Sequence, residues 1–263
     1  MKKYLIILKT EISSNLSYIL NILISFVGYG VILFVFFNLW KYMYTDPNSL
    51  INGYTMNQMM WYVIVTELLW GCVKGRIICK KIIKDIKSGN IAYNLTKPYN
   101  YILYVLADNM GDALTKFPVY IILCLSLGFI FLKSFPQITL FGIIILLFSM
   151  LLAIIISMLT CIFIGLLAFF IEDSNPIYWL YSKIMLILGT MFPIEYFPPL
   201  LQKILQYSPI FVTCYGPAKI FVDFSYNLSL KVLVAQIIYI VISYLLCLFI
   251  YKKGVKKLNV NGG

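Results

Sequence analysis

Histidine is absent from the 263 residues, and acids are scarce, with 10 Asp and Glu against 21 Lys and Arg. Without an imidazole, His-ligated zinc, His general bases and Ser-His-Asp triads are closed to this chain. Charged residues of both signs make up only 12%, against roughly a quarter in a soluble domain. No GxxxxGK[ST] segment occurs, so the chain cannot cradle a nucleotide phosphate in the P-loop manner. Any ATP-driven work would need another subunit. The six cysteines (Cys72, Cys79, Cys124, Cys161, Cys214 and Cys247) contain no CxxC pair. Most fall in apolar stretches, where a free thiol behaves as a small hydrophobe. Neither a disulfide, a metal site nor a catalytic residue is expected.

What remains is apolar. Hydrophobic residues reach 62% and the mean hydropathy is +0.91, which excludes a water-soluble enzyme and indicates an integral membrane protein. With so few charges in total, the net charge of +11 points to membrane topology and lipid contact, and no nucleic-acid partner is expected.

A helix needs about 20 apolar residues to cross a bilayer. Residues 19–40, 56–73, 117–132, 138–171, 177–192 and 232–251 supply six such runs, the second interrupted by Glu67 and the fifth by Lys183. The third can extend backward toward Leu106. The fourth would reach roughly 50 Å if straight, yet 149–160 offers no Pro, Gly or charge for a turn, so it counts once. The fold class expected is all-α: a polytopic membrane protein with six transmembrane helices, residues 1–263 forming one transmembrane domain.

Six crossings put both termini on one side. That side carries Lys2, Lys3, Lys9, Lys74, Arg76, Lys80, Lys81, Lys84, Lys87, Lys97, Lys252, Lys253, Lys256 and Lys257, with Lys116 and Lys183 near the same ends of their helices. The other side has only Lys41, Lys133, Lys203, Lys219 and Lys231. The positive-inside rule makes both termini cytoplasmic in the cell membrane. At the N-terminus, the apolar core before Lys9 is too short for a cleavable signal. Leu5, Leu8, Ile12 and Leu16 recur at three- and four-residue spacing, as in an amphipathic helix over 1–16 lying in the inner interface. The alternative is that this segment extends the first span inward.

The cytoplasmic segment 76–98 is the most informative. Ile78, Ile82 and Ile86 share one helical face, widened by Ile83, while Lys80, Lys81, Lys84, Asp85 and Lys87 occupy the rest. Gly89 is placed to close the helix in the left-handed conformation, and Pro98 breaks the chain before the third span. A basic amphipathic helix here fits an anchor on anionic lipid, a docking element for a soluble partner, or both. From 193 to 231 the chain is apolar yet punctuated by Pro193, Pro198, Pro199, Pro209 and Pro217, which suits outer re-entrant helices better than a straight span. Glu67, a charge within a span, marks a functional site by default.

Two patches resemble a known family. Ser88-Gly89-Asn90-Ile91 followed by Leu95-Thr96-Lys97-Pro98 is similar to the "G-x-I…L-x-[KR]-P" segment after the second span in permease subunits of type-2 ATP-binding-cassette exporters. Phe192-Pro193-Ile194-Glu195-Tyr196-Phe197-Pro198, continuing through Ser208-Pro209 to Gly216-Pro217, is similar to that family's Pro-rich region between spans five and six. The six-span layout of about 260 residues matches along nearly the whole chain. The resemblance implies that Arg76, Ile78, Lys80, Lys81, Ile82, Lys84, Asp85, Ile86 and Gly89 belong to a coupling helix received by a cytoplasmic ATPase. Glu172 and Asp173 would form a second, smaller contact. Further partners implied are a second permease chain, the same or a sister, and membrane lipid. No cofactor is expected in this chain, ATP and Mg lying on the partner ATPase. The expected function is export of an amphipathic or lipid-like substrate, with Glu67, Pro193 and Glu195 as candidate path residues. The alternative is an ion- or proton-coupled secondary transporter using Glu67, with Asp108 and Asp112 as accessory groups. That predicts internal repeats, and the sequence shows none.

Overall fold

A computed structural model of the chain describes residues 2–44, 46, 49–171 and 173–261. Among them are eleven α-helices and no strand: α1 Lys2–Ser17, α2 Ile19–Met43, α3 Met56–Cys72, α4 Gly75–Lys87, α5 Asn90–Leu95, α6 Tyr101–Leu132, α7 Leu140–Leu166, α8 Asn175–Met185, α9 Pro199–Leu205, α10 Gly216–Val222 and α11 Tyr226–Asn261. Four stretches are long and apolar enough to cross a membrane: Ile19–Met43, Tyr101–Leu132, Leu140–Phe169 and Tyr226–Lys257. The second and fifth expected runs correspond to shorter helices. At 17 residues, α3 reaches roughly 25 Å. The 11-residue α8 continues as a π-helical stretch, Leu186–Met191.

α3 lies at the centre, buried on nearly every side from Met56 to Cys72. Its start is fixed by a capping box, in which the Thr55 hydroxyl accepts from the Gln58 N–H while the Gln58 side chain accepts from the Thr55 N–H, satisfying two otherwise orphaned donors. Tyr62 donates to the carbonyl of Gly189 at 2.7 Å and Tyr29 to that of Glu67 at 2.6 Å, tying α3 to its neighbours. Gln236 of α11 donates to the carbonyls of Ser149 (3.0 Å) and Val212 (2.8 Å). All six cysteines are buried and unbridged.

Three boundaries differ from the sequence expectation. The third span, expected over 117–132 with an extension back toward Leu106, belongs to a helix that starts earlier still, at Tyr101, because Asn100 caps it by accepting from the Leu103 N–H and because Asp108, Asp112 and Lys116 are all ion-paired. Pro118 sits inside this helix. The last helix starts at Tyr226 instead of 232, capped by Ser225, whose hydroxyl accepts from the Leu228 N–H. The outer segment expected over 193–231 therefore ends at this cap. Within it, the π-helical stretch Phe211–Tyr215 and α10 are buried almost throughout, so these residues pack as core.

α1 is separate from α2, the break falling at Tyr18. It lies along the first half of α6, where a Cβ at Gly111 would come within 2.9 Å of the Leu8 carbonyl oxygen. Only glycine permits that approach of two backbones. Leu8 and Ile12 are part-buried, whereas Leu5 and Leu16 are exposed and do not share the covered face. Lys3 donates to the Pro98 carbonyl, and the Tyr4 hydroxyl accepts from the Asn100 N–H at 2.8 Å, so α1 also pins the entry to α6.

Candidate functional site

The isoleucine spacing of α4 produces a two-sided helix. Ile78, Ile82, Ile83 and Ile86 are buried, with Ile82 against Gly165 of α7, where an added Cβ would meet the isoleucine Cβ at 3.0 Å. The helix closes at Gly89, whose φ is +74°, a conformation that a side chain disfavours. Lys84 and Lys87 occupy its last turn, favourable to the helix dipole.

The polar face divides into two parts. Lys81 turns toward α6 and pairs with Asp108 at 2.7 Å, and the Tyr101 hydroxyl donates to Asp85 at 2.8 Å. Just before α4, Lys74 pairs with Asp112 at 2.9 Å, and Lys116 reaches the other oxygen of the same carboxylate at 2.8 Å. Burial works against the Lys81 charge, but the hydrogen bond and charge of Asp108 outweigh it and hold its pKa above the ordinary value. Glu11 of α1 borders this cluster, and burial followed by the Asp108 charge pushes its carboxyl up. Arg76, Lys80, Lys84 and Lys87 are instead exposed.

Of the expected coupling residues, Ile78, Ile82 and Ile86 therefore anchor the helix, Lys81 and Asp85 clamp it, and Arg76, Lys80 and Lys84 present charge outward. Asp108 and Asp112, expected only as accessory groups of the alternative secondary transporter, are clamp residues. Their four-residue spacing was visible, but their partners lie on another element.

The turn between α7 and α8 comes beside α4. Asp173 accepts from the backbone N–H of Asn175 at 3.0 Å and from its side chain at 2.6 Å, which lowers the Asp173 pKa. Glu172 lies outside the described residues. Between this turn, α4 and α8 opens a cleft of about 780 Å³ bordered by Arg76, Lys80, Asp173 and Lys183.

At the opposite end, Pro193 leads into a short 3-10 turn, Ile194–Tyr196. Glu195 accepts from the Tyr215 hydroxyl at 2.7 Å and lies 3.6 Å from the Lys219 ammonium. Lys219 also sits 4.4 Å over the Tyr54 ring and 3.2 Å from Asp223. Tyr196 donates to the Ile51 carbonyl at 3.1 Å and packs against Trp40, binding this lobe to the loop ahead of α3. Glu67 is buried (3% exposed) and stands three turns into α3, roughly 16 Å along its axis from the end where Glu195 lies. The structure thus joins Pro193 and Glu195 but leaves Glu67 apart. Replacing Lys219 by Met should leave Glu195 without its cation and destabilise the chain by about 1–3 kcal/mol. Thermal unfolding in detergent measures this, and an unchanged melting temperature would show the pair to be idle.

A family model described as "ABC-2 family transporter protein" matches residues 29–262. No curated protein matches the chain.

Proposed function

The chain belongs to the ABC-2 family of transporter proteins, and on that premise we propose that it exports an amphipathic or lipid-like substrate. Membership makes it a multi-pass membrane permease subunit of an ATP-binding-cassette transporter, served by an ATP-binding subunit. In the fuller reading, six helices cross the cell membrane, α3 and α8 with its π-helical continuation adding to the four long ones. Both termini are cytoplasmic, and two permease chains, identical or sister, pair around the path. ATP and Mg bind the partner subunit, and α4 is the element it pushes.

The observation that carries this reading is the division of α4 into a fixed and a free side. Its isoleucines and Lys81 are held by α7 and α6, while Arg76, Lys80 and Lys84 face outward. A helix gripped in this way transmits force to the bundle, since α6 and α7 are both long spans. The turn at Asp173 supplies the smaller second contact, and Pro193 and Glu195 line the far end of the path.

Glu67 separates this from transport coupled to an ion or proton. No ion pair reaches it among the described residues, and α3 is sheathed by its neighbours. Glu67→Gln is expected to preserve ATP-driven transport in vesicles containing the permease and its ATPase, within about twofold of wild type. Loss of transport in that variant, in a chain that never binds an ATPase, would overturn the proposal in favour of a secondary transporter.

A further inference from the structure

The cleft beside α4 gathers one cation more than the coupling role uses, Lys183 joining Arg76 and Lys80. Arg76 and Lys80 enter it from α4, and Lys183 from α8. The carboxylate on its lining, among the described residues, is Asp173, which already accepts two hydrogen bonds from Asn175. Among the described residues, none of the three cations forms an ion pair. Lys183 lies 5.9 Å from the Trp179 ring, a weak contact for a full charge.

Lys183 is an exposed cation on the lining of this cleft. It stands in the third turn of α8, a helix read here as membrane-crossing, where an unpaired cation is tolerated chiefly by reaching toward an interface or a polar cavity. Trp70, Tyr178 and Trp179 border the same cleft. Such amphipathic rings suit the boundary between headgroups and acyl chains. A guanidinium and two ammonium groups over aromatic walls match an anionic oxygen cluster attached to an apolar body. An acidic loop of a soluble protein would satisfy Arg76 and Lys80, but it would not reach the aromatic, membrane-level end at Lys183.

We propose that the cleft between α4 and α8 binds the phosphate-bearing headgroup of an anionic lipid from the inner leaflet, and that the transported substrate belongs to this class. The proposal rests on the exporter reading for its orientation and for the word substrate. It also gives substrate a direct hold on the transmission element, because Arg76 and Lys80 are part of α4 itself. An occupied cleft would draw α4 and α8 together across a shared anion.

The test uses the permease purified with its ATPase and reconstituted in phosphatidylcholine with or without phosphatidylglycerol. Lipid retained by the complex is counted by native mass spectrometry. Wild type should retain phosphatidylglycerol in preference to phosphatidylcholine, and Lys183→Gln should weaken that retention about tenfold or more. Lys183→Arg should restore it, separating lost charge from lost folding.

Equal retention of the two lipids by wild type, or undiminished retention by Lys183→Gln, would sink the proposal. Displacement by inorganic phosphate as readily as by lipid would assign the cleft to a free anion instead. Expulsion of the lipid when the ATPase binds would make the cleft part of the protein interface, again against the proposal. If phosphatidylglycerol is retained selectively but no ATPase ever co-purifies, the exporter reading fails and the lipid site stands.

Discussion

The double variant Lys80→Glu, Lys84→Glu is expected to lose co-purification of the ATPase while the chain still inserts and folds in the membrane. Both side chains are exposed, and neither has an ion pair among the described residues. Reversing them breaks no side-chain contact that holds α4 in place and costs only the helix-dipole contribution of Lys84, about 0.3–1 kcal/mol. It replaces two positive charges with two negative ones on a surface proposed to meet a partner, and like-charge juxtaposition across an interface costs several kcal/mol. A loss of about 100-fold in affinity is the scale to expect, easing as salt is raised because exposed charges are screened. Lys81→Met is the informative control, since Lys81 faces Asp108 and contributes to internal fixation. It should loosen α4 and lower thermal stability, with ATPase association much less affected. Equal ATPase binding by wild type and the double variant would leave α4 as a lipid anchor. Equal damage from Lys81→Met and the double variant would erase the distinction between the two sides of the helix.

That distinction also shows how far the sequence could be read. The amphipathic pattern of α4 was legible because Ile78, Ile82 and Ile86 recur at the helical period and end at Gly89, whose positive φ is a local property of the chain. The membrane character and the long spans were legible for the same reason, since length and hydropathy are local. The inward turn of Lys81 was not. Lys80, Lys81 and Lys84 are alike in sequence, and only the position of Asp108, 27 residues away, selects the middle one. The extension of α6 back to Leu106 was legible, but not its start at Tyr101, which depends on the Asn100 cap. Glu195 was picked out by its Pro-rich setting, while its contacts with Tyr215 and Lys219 depend on how the buried stretch 211–222 folds back. The sequence places Lys183 near the cytoplasmic end of its helix, but the cleft that it borders exists only once α4 and α8 are side by side. The approach at Gly111 was equally hidden: it covers Leu8 and Ile12 of α1, while Leu5 and Leu16 stay exposed, open to the interface that periodicity assigns them.

Transmission from α4 into the bundle should depend on the size of the side chain at position 165. Ile82 is fully buried, and its Cβ lies 3.0 Å from where a Cβ on Gly165 would stand, with its Cδ1 at 3.1 Å. Alanine at 165 demands a shift of a few tenths of an ångström and gains helix propensity of about 1 kcal/mol, so Gly165→Ala should be close to neutral. Gly165→Val adds two further methyl groups that α4 must avoid, and overpacking of this kind costs about 1–3 kcal/mol. Because α4 is also tied to α6 through Lys81 and Asp85, the strain should tilt it about that edge and not detach it. The expected result is ATPase that still binds and hydrolyses ATP but moves less substrate per ATP, measured as transport against phosphate release in the same vesicles. Ile82→Ala opens the same contact from the other side, leaves a cavity worth about 2–5 kcal/mol, and should also uncouple. The decisive measurement is the pair: Gly165→Val with Ile82→Ala returns volume to the interface, so the two defects should partly cancel. Additive losses in a double-mutant cycle would mean that the residues do not act through one contact. Normal coupling in both single variants would mean that force leaves α4 by the α6 clamp alone.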